Sequence, residues 1–278
     1  MLIPAFQKNE QLRADLRARR GAPGFQVWWL GQSGFLLHWQ GRYLLFDPYL
    51  SDSLTRKYAG TPKPHVRMSE RAIDPALLDM IDIVTSSHNH TDHLDAETLR
   101  PLLAANPGAR FVIPEANRAF VADRLQCDPA FPLGMRDGDT LELDGFRFTC
   151  VPAAHNTIER DEAGRCKFVG YVVQFGPYAV YHSGDTLWYA GMADLLKPFS
   201  VGLAFLPING NKPERGVAGN LDCAEAAELG LQIGARCVIP HHYDLFEFNT
   251  AEVGEFVREA EMRGIGYRVL RIGEGVFF

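Results

Sequence analysis

The segment 88–93 reads HNHTDH and places three histidines and one aspartate within six residues. The mostly apolar run just before it predicts a β-strand that delivers this segment to the end of a sheet. Because side chains alternate along an extended chain, His88 and His90 share one face, whereas Asp92 and His93 follow where the chain turns. Imidazoles and carboxylates at this spacing are typical of metal ligands. Two pairs that point at neighbouring positions predict a site for two metal ions; the alternative is a histidine-rich surface loop.

The HxHxDH signature resembles that of the metallo-β-lactamase superfamily. This resemblance implies that a histidine, an aspartate and a late histidine follow in that order, each at the end of a strand. The chain supplies His155, Asp185 and the pair His241-His242 at such positions. The family pattern Ile-Pro-any-His selects His242 from the pair. The implied ligand set is His88, His90 and His155 for one metal, Asp92, His93 and His242 for the other, and Asp185 as the bridge.

Neutral imidazoles and carboxylates suit zinc, manganese or iron, and no cysteine lies in any ligand segment. We expect two divalent ions, zinc or manganese, with iron less favoured. Two close cations lower the pKa of a bound water, so hydrolysis is the expected chemistry, with Asp92 and Asp185 as its carboxylates. Two other functions stay open: an iron-dependent oxidoreductase on the same fold, and a metal-binding protein without catalysis. For His155 a buried core histidine is the alternative interpretation, and for Asp185 a helix cap.

Five further residues are candidates for supporting the ligands or contacting the substrate. Asp47, which precedes a proline where the family has an Asp-Pro, is predicted to orient a ligand histidine; a turn-forming aspartate is the alternative. Adjacent strand residues point to opposite sides, so His241 is expected to support the site or face the substrate. Asn156 follows directly after His155. Lys212 and Arg215 lie in a glycine-rich loop and are predicted to receive an anionic substrate, unless they are solvated loop charges.

Finer similarities concern residues 28–34, 181–185, 210–216 and 235–242, which resemble the L-ascorbate-6-phosphate lactonase group. This resemblance implies a divalent-metal hydrolase that opens a lactone or cleaves a phosphodiester. His155 departs from it, because that group has a carboxylate at this position. The departure favours the general pattern of metal-dependent hydrolases. Among the other histidines, His182 is predicted to be buried and hydrogen-bonded, and His38 and His65 are given no role.

Strand and helix patterns along the chain predict an α/β architecture with two sheets packed face to face and helices outside. This is the four-layer αββα sandwich of the metallo-β-lactamase type. We expect one domain over residues 1–278, with an N-terminal helix within residues 1–20 and the site between two strand-rich halves. Residues 187–196 are predicted as a helix and 267–271 as a strand. The segment 51–72 is too long for an ordinary connection, and such loops are often functional.

The charge balance of 28 basic and 34 acidic residues gives a net charge of −6, which provides no basic footprint for nucleic acid. The five cysteines are odd in number, widely spaced and without a CxxC pair, as in a reduced cytoplasmic protein. No apolar run has membrane-spanning length and no signal-peptide core follows the N-terminus. The expected partner is a small-molecule substrate, without nucleic acid or membrane, and homo-oligomerisation stays open.

Overall fold

The computed structural model describes residues 1–278, and it contains two mixed β-sheets. Seven strands form the first sheet, in the order β13-β1-β2-β3-β4-β5-β6. Their bounds are β1 Phe25–Gly31, β2 Gly34–Trp39, β3 Arg42–Phe46, β4 Ile83–Thr85, β5 Arg110–Pro114, β6 Leu133–Met135 and β13 Gly275–Phe277. Strands β1, β2 and β3 are antiparallel neighbours, and β3 to β6 run parallel. The parallel half therefore brings the C-terminal ends of β3, β4 and β5 to one edge.

The second sheet has six strands in the order β12-β11-β10-β9-β8-β7. Their bounds are β7 Thr140–Leu143, β8 Phe146–Pro152, β9 Val169–Phe175, β10 Tyr178–His182, β11 Leu203–Pro207 and β12 Cys237–His241. Strands β7 to β10 form an antiparallel meander, and β10, β11 and β12 are parallel. The ends of β8, β10 and β12 lead directly into residues that the sequence predicts as ligands.

Seven α-helices accompany the sheets: α1 Glu10–Ala18, α2 Ser53–Lys57, α3 Ala96–Ala105, α4 Arg118–Leu125, α5 Met192–Leu196, α6 Cys223–Gln232 and α7 Val253–Arg263. Short 3-10 helices lie at Pro75–Leu77, Glu115–Asn117, Lys197–Phe199 and Pro213–Arg215. None of the helices is long and apolar enough to cross a membrane. The two mixed sheets and flanking helices confirm the predicted αββα sandwich.

Aromatic side chains join the two sheets through one continuous buried core. Phe35 of β2 stacks on Phe205 of β11 with ring centroids 4.2 Å apart, and Phe46 of β3 stacks on His182 of β10 at 5.0 Å. Such rings each bury a large apolar area and prefer this offset geometry. The packing therefore fixes the ends of β3 and β10 relative to each other, which is where the site is built.

Two of the predicted elements, one helix and one strand, are wrong. In both segments, hydrogen bonds to distant residues take the place of the regular pattern. The helix expected over 187–196 begins only at Met192, because Leu187 N–H donates to the carbonyl of Ala154 and Gly191 adopts a left-handed conformation. Residues 267–271 form no strand. Tyr267 makes a single bridge to Val238, and the backbone N–H and carbonyl of Leu270 bond to the hydroxyl of Tyr243 instead of to a neighbouring strand.

Candidate metal centre

Four strand ends carry the predicted ligands to one edge of the sandwich. The segment 88–93 follows β4, His155 follows β8, Asp185 follows β10, and His242 follows β12. Side chains at strand ends are held rigidly, because hydrogen bonds to the neighbouring strands fix the direction of the chain. The structure therefore brings seven side chains together from positions as distant as 88 and 242.

The first group of potential ligands comprises His88, His90 and His155, whose donor atoms all lie within 4.8 Å of one another. His155 donates from Nδ1 to the carbonyl of Gly219 at 2.8 Å, so its neutral tautomer leaves the lone pair on Nε2. His88 is buried, and its Nε2 has no hydrogen-bond partner. A buried imidazole nitrogen without a partner is costly unless something else binds it. This group therefore fits a metal ion.

The second group comprises Asp92, His93, Asp185 and His242, again with donor atoms within 4.8 Å. Asp185 Oδ1 lies 2.8 Å from Nε2 of His242 and 3.2 Å from Nε2 of His93, without the alignment of a hydrogen bond. Its Oδ2 lies 3.6 Å from Nε2 of His155, in the first group. Asp185 is thus positioned between the two groups. It is not a helix cap, because α5 begins seven residues later with Gly191 at its N-cap.

Burial keeps the imidazoles of His88 and His90 neutral, whereas neighbouring carboxylates favour the charged form of His93. Burial lowers the pKa of His88, and burial together with His155 lowers the pKa of His90 to about 4, so both are neutral near pH 7. Burial disfavours the charged form of His93, yet the nearby Asp185 and Asp92 raise its pKa. Asp185 is buried, but His242 and His93 hold its pKa well below the ordinary range. Neutral imidazoles and ionised carboxylates are the forms that bind metals.

Asp47 lies beneath the second group, directly after β3. Its Oδ2 lies 2.7 Å from Nδ1 of His93, and its Oδ1 accepts from Thr85 Oγ1 at 2.9 Å and from the Ser87 N–H at 3.0 Å. Burial opposes its charge, but the hydrogen bond with His93 lowers its pKa. Because Nδ1 of His93 donates to Asp47, Nε2 is directed towards Asp185.

Gln32 is a residue near the cluster that the sequence analysis missed. Its side-chain amide lies 2.9 Å from Nδ1 of His242 and 3.0 Å from Oδ2 of Asp92, so it contacts two predicted ligands. The pattern Gly-Gln-Ser-Gly at residues 31–34 is that of a hairpin turn. Gln32 sits in that turn with φ 50°, an uncommon conformation for a residue other than glycine. The segment 28–34 carried a family resemblance, but nothing local singled out its glutamine.

His241 and His182 lie behind the predicted ligands and face the core. The ring of His241 stacks on that of His182 with centroids 5.6 Å apart and an interplanar angle of 6°. Nδ1 of His241 lies 3.3 Å from Ser33 Oγ, and His182 donates from Nε2 to the Ser33 carbonyl at 2.9 Å. His241 belongs to neither ligand group and does not line the cleft described next. Its position is that of a buried supporting residue.

A cleft of about 530 Å³ opens in front of the two groups, and His90, Asp92, His155 and Asp185 form part of its wall. Its other polar lining residues are Lys57, Tyr58, Lys63, His65, Asn89, Thr91, Arg124 and Asn249. A concave site beside a ligand cluster is the usual place for a small-molecule substrate. A small molecule can therefore reach the cluster from one side, through the cleft.

Three of the residues proposed as substrate contacts do not line this cleft. The guanidinium of Arg215 donates to the carbonyl of Asn209 at 2.6 Å and to Oδ1 of Asn249 at 2.9 Å, so it holds loops together. Lys212 lies on the exposed part of the same loop. Oδ1 of Asn156 accepts from the Gly219 N–H at 2.9 Å and thereby supports the segment that bonds His155.

Comparison with known protein families places this geometry in context. The family described as "Beta-lactamase superfamily domain" matches residues 42–243. A relative described as "UPF0173 metal-dependent hydrolase", from Methanoregula boonei, is 31% identical over 252 residues, which cover 89% of this chain and 94% of the relative. The match therefore spans nearly the whole of both proteins.

Two solved structures with similar folds carry different names. Igni18, described as a novel metallo hydrolase from Ignicoccus hospitalis, has a TM-score of 0.66 at 23% identity and covers 91% of this chain and 98% of its own. CmlA, a diiron β-hydroxylase from Streptomyces venezuelae, has a TM-score of 0.69 at 17% identity, covering 96% of this chain and 60% of its own. At these identities the likeness concerns the fold alone.

Proposed function

The chain belongs to the UPF0173 metal-dependent hydrolase family of the beta-lactamase superfamily, and we propose that it hydrolyses a small molecule with two divalent metal ions. One observation carries the proposal: two groups of ligand atoms, each within 4.8 Å, meet at the carboxylate of Asp185. A shared carboxylate between two clusters is the arrangement expected of a two-metal hydrolytic site.

In this proposal His88, His90 and His155 would hold one ion, Asp92, His93 and His242 would hold the other, and Asp185 would be shared between the two groups. When bound, the ions would supply an activated water and polarise the bond to be cleaved. Asp47 keeps the proton of His93 on Nδ1, 2.7 Å away, so that Nε2 stays available to the site. Gln32 positions His242 and Asp92 together. The donor set contains only nitrogen and oxygen, which favours zinc or manganese, with iron less favoured.

We propose a lactone or phosphoester that carries an anionic group as the substrate class. Three cations line the cleft, namely Lys57, Lys63 and Arg124, and none of them forms an ion pair with a carboxylate. Arg124 is half-buried, and its Nη1 donates only to the backbone carbonyls of Asn89 at 2.8 Å and Leu94 at 3.2 Å. An anion in the cleft would accept hydrogen bonds from the remaining N–H groups of such side chains.

An iron-dependent oxidoreductase is the second candidate. The nitrogen and oxygen donor set also accepts iron. The solved structure described as a diiron β-hydroxylase has a similar fold. A metal-binding protein without catalysis is a third, and the open cleft beside the ligand cluster argues against it.

Metal analysis combined with a substrate screen tests the proposal. We expect about two equivalents of zinc or manganese per chain by mass spectrometry, about 3.5–4 Å apart in a metal-replete crystal. The protein should hydrolyse a lactone or bis-p-nitrophenyl phosphate, and removal of the metal by a chelator should abolish that activity. A single equivalent with His242 uncoordinated would contradict the two-metal centre. Bound iron with oxygen-dependent turnover would support the oxidoreductase instead.

The charge of Lys57 provides a separate test of the anionic substrate. Lys57→Gln should raise KM for the bis-p-nitrophenyl phosphate anion by about two- to fivefold, the value of one exposed charge pair. KM for a neutral lactone should stay the same, and added salt should reduce the difference between variant and wild type. Lys212→Gln is the matched control, because Lys212 lies outside the cleft. An effect of Lys212→Gln as large as that of Lys57→Gln would overturn the assignment.

A further inference from the structure

His65 lines the same cleft as four of the predicted metal ligands, although it lies in the segment 51–72 and belongs to neither ligand group. Backbone hydrogen bonds join this segment to residues 245–247. Met68 N–H donates to Leu245 O at 2.8 Å, and Glu247 N–H donates to Val66 O at 2.9 Å. The loop is therefore fixed to the chain that follows His242. His65 is held at a defined place on the cleft wall.

Packing also fixes the orientation of the His65 ring. The ring stacks on Tyr58 with centroids 4.6 Å apart, and the edges of Phe246 and Phe248 meet it at 5.2 and 5.3 Å. Thr55 Oγ1 donates to the backbone carbonyl of His65 at 2.7 Å. An imidazole enclosed by three aromatic rings loses little freedom on binding a ligand, which is the advantage of a preorganised contact.

A hydrogen bond selects the tautomer. Nδ1 of His65 lies 2.9 Å from the carbonyl of Lys63, and a carbonyl can only accept, so Nδ1 carries the proton. In the neutral ring Nε2 then holds the lone pair, and it has no hydrogen-bond partner within the protein. Burial lowers the pKa of His65, partly opposed by the Lys63 hydrogen bond and by Asp92, so the ring is neutral near pH 7.

We propose that His65 is a substrate-contacting residue whose Nε2 accepts a hydrogen bond from a hydroxyl group of the substrate, so that the cleft prefers hydroxylated substrates. The proposal rests on the proposed hydrolase function for the identity of the cleft. It adds a selection that the predicted metal ligands would not provide, because their role would be to hold the ions that act on the bond to be cleaved. A site built to accept from a hydroxyl discriminates against analogues that lack it, since its own polar group is then left without a partner.

Two lactones that contain the same six-membered ester ring test this selection: D-glucono-δ-lactone, which carries hydroxyls, and δ-valerolactone, which does not. His65→Phe keeps an aromatic ring in the stack but removes the acceptor. It should lower kcat/KM for the hydroxylated lactone about tenfold, the value of one lost hydrogen bond, and change δ-valerolactone by less than about twofold. His65→Gln, which retains an acceptor near Nε2, should recover part of the loss. Equal losses on both lactones, or no loss on either, would overturn the proposal.

A binding measurement decides the matter even if the wild-type protein hydrolyses neither lactone, in which case the proposed substrate class fails separately. D-gluconate and hexanoate have the same chain length and the same charge, but only gluconate carries hydroxyls. In the zinc-loaded protein labelled with ¹⁵N-histidine, gluconate should shift the Nε2 resonance of His65, assigned by its absence in His65→Phe, and hexanoate should not. If the resonance does not move, or shifts equally with both ligands, His65 does not recognise hydroxyl groups.

Discussion

Replacement of Asp185 by asparagine is expected to abolish turnover while the protein still folds. The two carboxylate oxygens face different ligand groups, with Oδ1 2.8 Å from Nε2 of His242 and Oδ2 3.6 Å from Nε2 of His155. An amide of the same shape offers only one uncharged oxygen, so it cannot neutralise two cations. We expect the rate to fall more than tenfold, which is more than about 1.4 kcal/mol of barrier, and the metal content to fall below two equivalents.

The control for this variant removes a carboxylate of the same size outside the cleft. Asp137 accepts from Arg160 at 2.9 and 3.0 Å and lines no part of the site, so Asp137→Asn should keep both metal ions and full activity. Thermal unfolding followed by circular dichroism checks that both variants are folded. An Asp185→Asn protein that retains two equivalents of metal and more than about a tenth of the wild-type rate would show that Asp185 is not shared between the ions.

The sequence was sufficient to predict which side chains cluster, because these residues follow strands whose patterns are local. The alternation in 140–151 around Asp144-Gly145 predicts a hairpin, and the structure has β7 and β8 with that turn. Strands β1, β2 and β3 likewise lie within one residue of the bounds that the sequence pattern predicts, 25–30, 34–39 and 42–46. Each segment of predicted ligands begins within three residues of a strand end, so the positions of the strand ends locate these segments.

Contacts between distant segments could not be predicted in the same way. Gln32 reaches Nδ1 of His242 across 210 residues of sequence, and no local pattern distinguishes it from any other turn glutamine. The cations that line the cleft could not be predicted from local patterns either. The glycine-rich pattern around Lys212 and Arg215 predicts a substrate loop, whereas packing of α2 and α4 decides that Lys57 and Arg124 line the cleft.

The helix boundary at Gly191 has the same physical origin. Residues 187–191 have a composition that suits a helix, but Tyr189 donates its hydroxyl to the carbonyl of Pro152 and Leu187 N–H donates to Ala154. These bonds hold the chain against the segment that carries His155. Tertiary contacts outweighed a helical preference that is worth only tenths of a kcal/mol per residue (roughly 0–0.7).

The neighbouring residues His241 and His242 are expected to respond oppositely to substitution. His241 ends β12 with its ring stacked on His182, whereas His242 has φ 64° and turns its Nε2 to within 2.8 Å of Asp185. The left-handed backbone at His242 thus directs the two rings to different sides. His242→Ala should therefore lose one equivalent of metal and most of the activity.

His241→Phe is the matched substitution on the other side, because phenylalanine keeps a ring in the stack with His182 and Phe35. It should retain both metal ions and alter mainly thermal stability, since the buried Nε2 of His241 has no hydrogen-bond partner and His241 belongs to neither ligand group nor the cleft wall. Metal analysis of the two purified variants measures the difference directly. If His241→Phe loses one equivalent of metal and His242→Ala keeps two, the register at the end of β12 is misassigned by one residue. The proposed ligand set of the second metal ion would then be wrong as well.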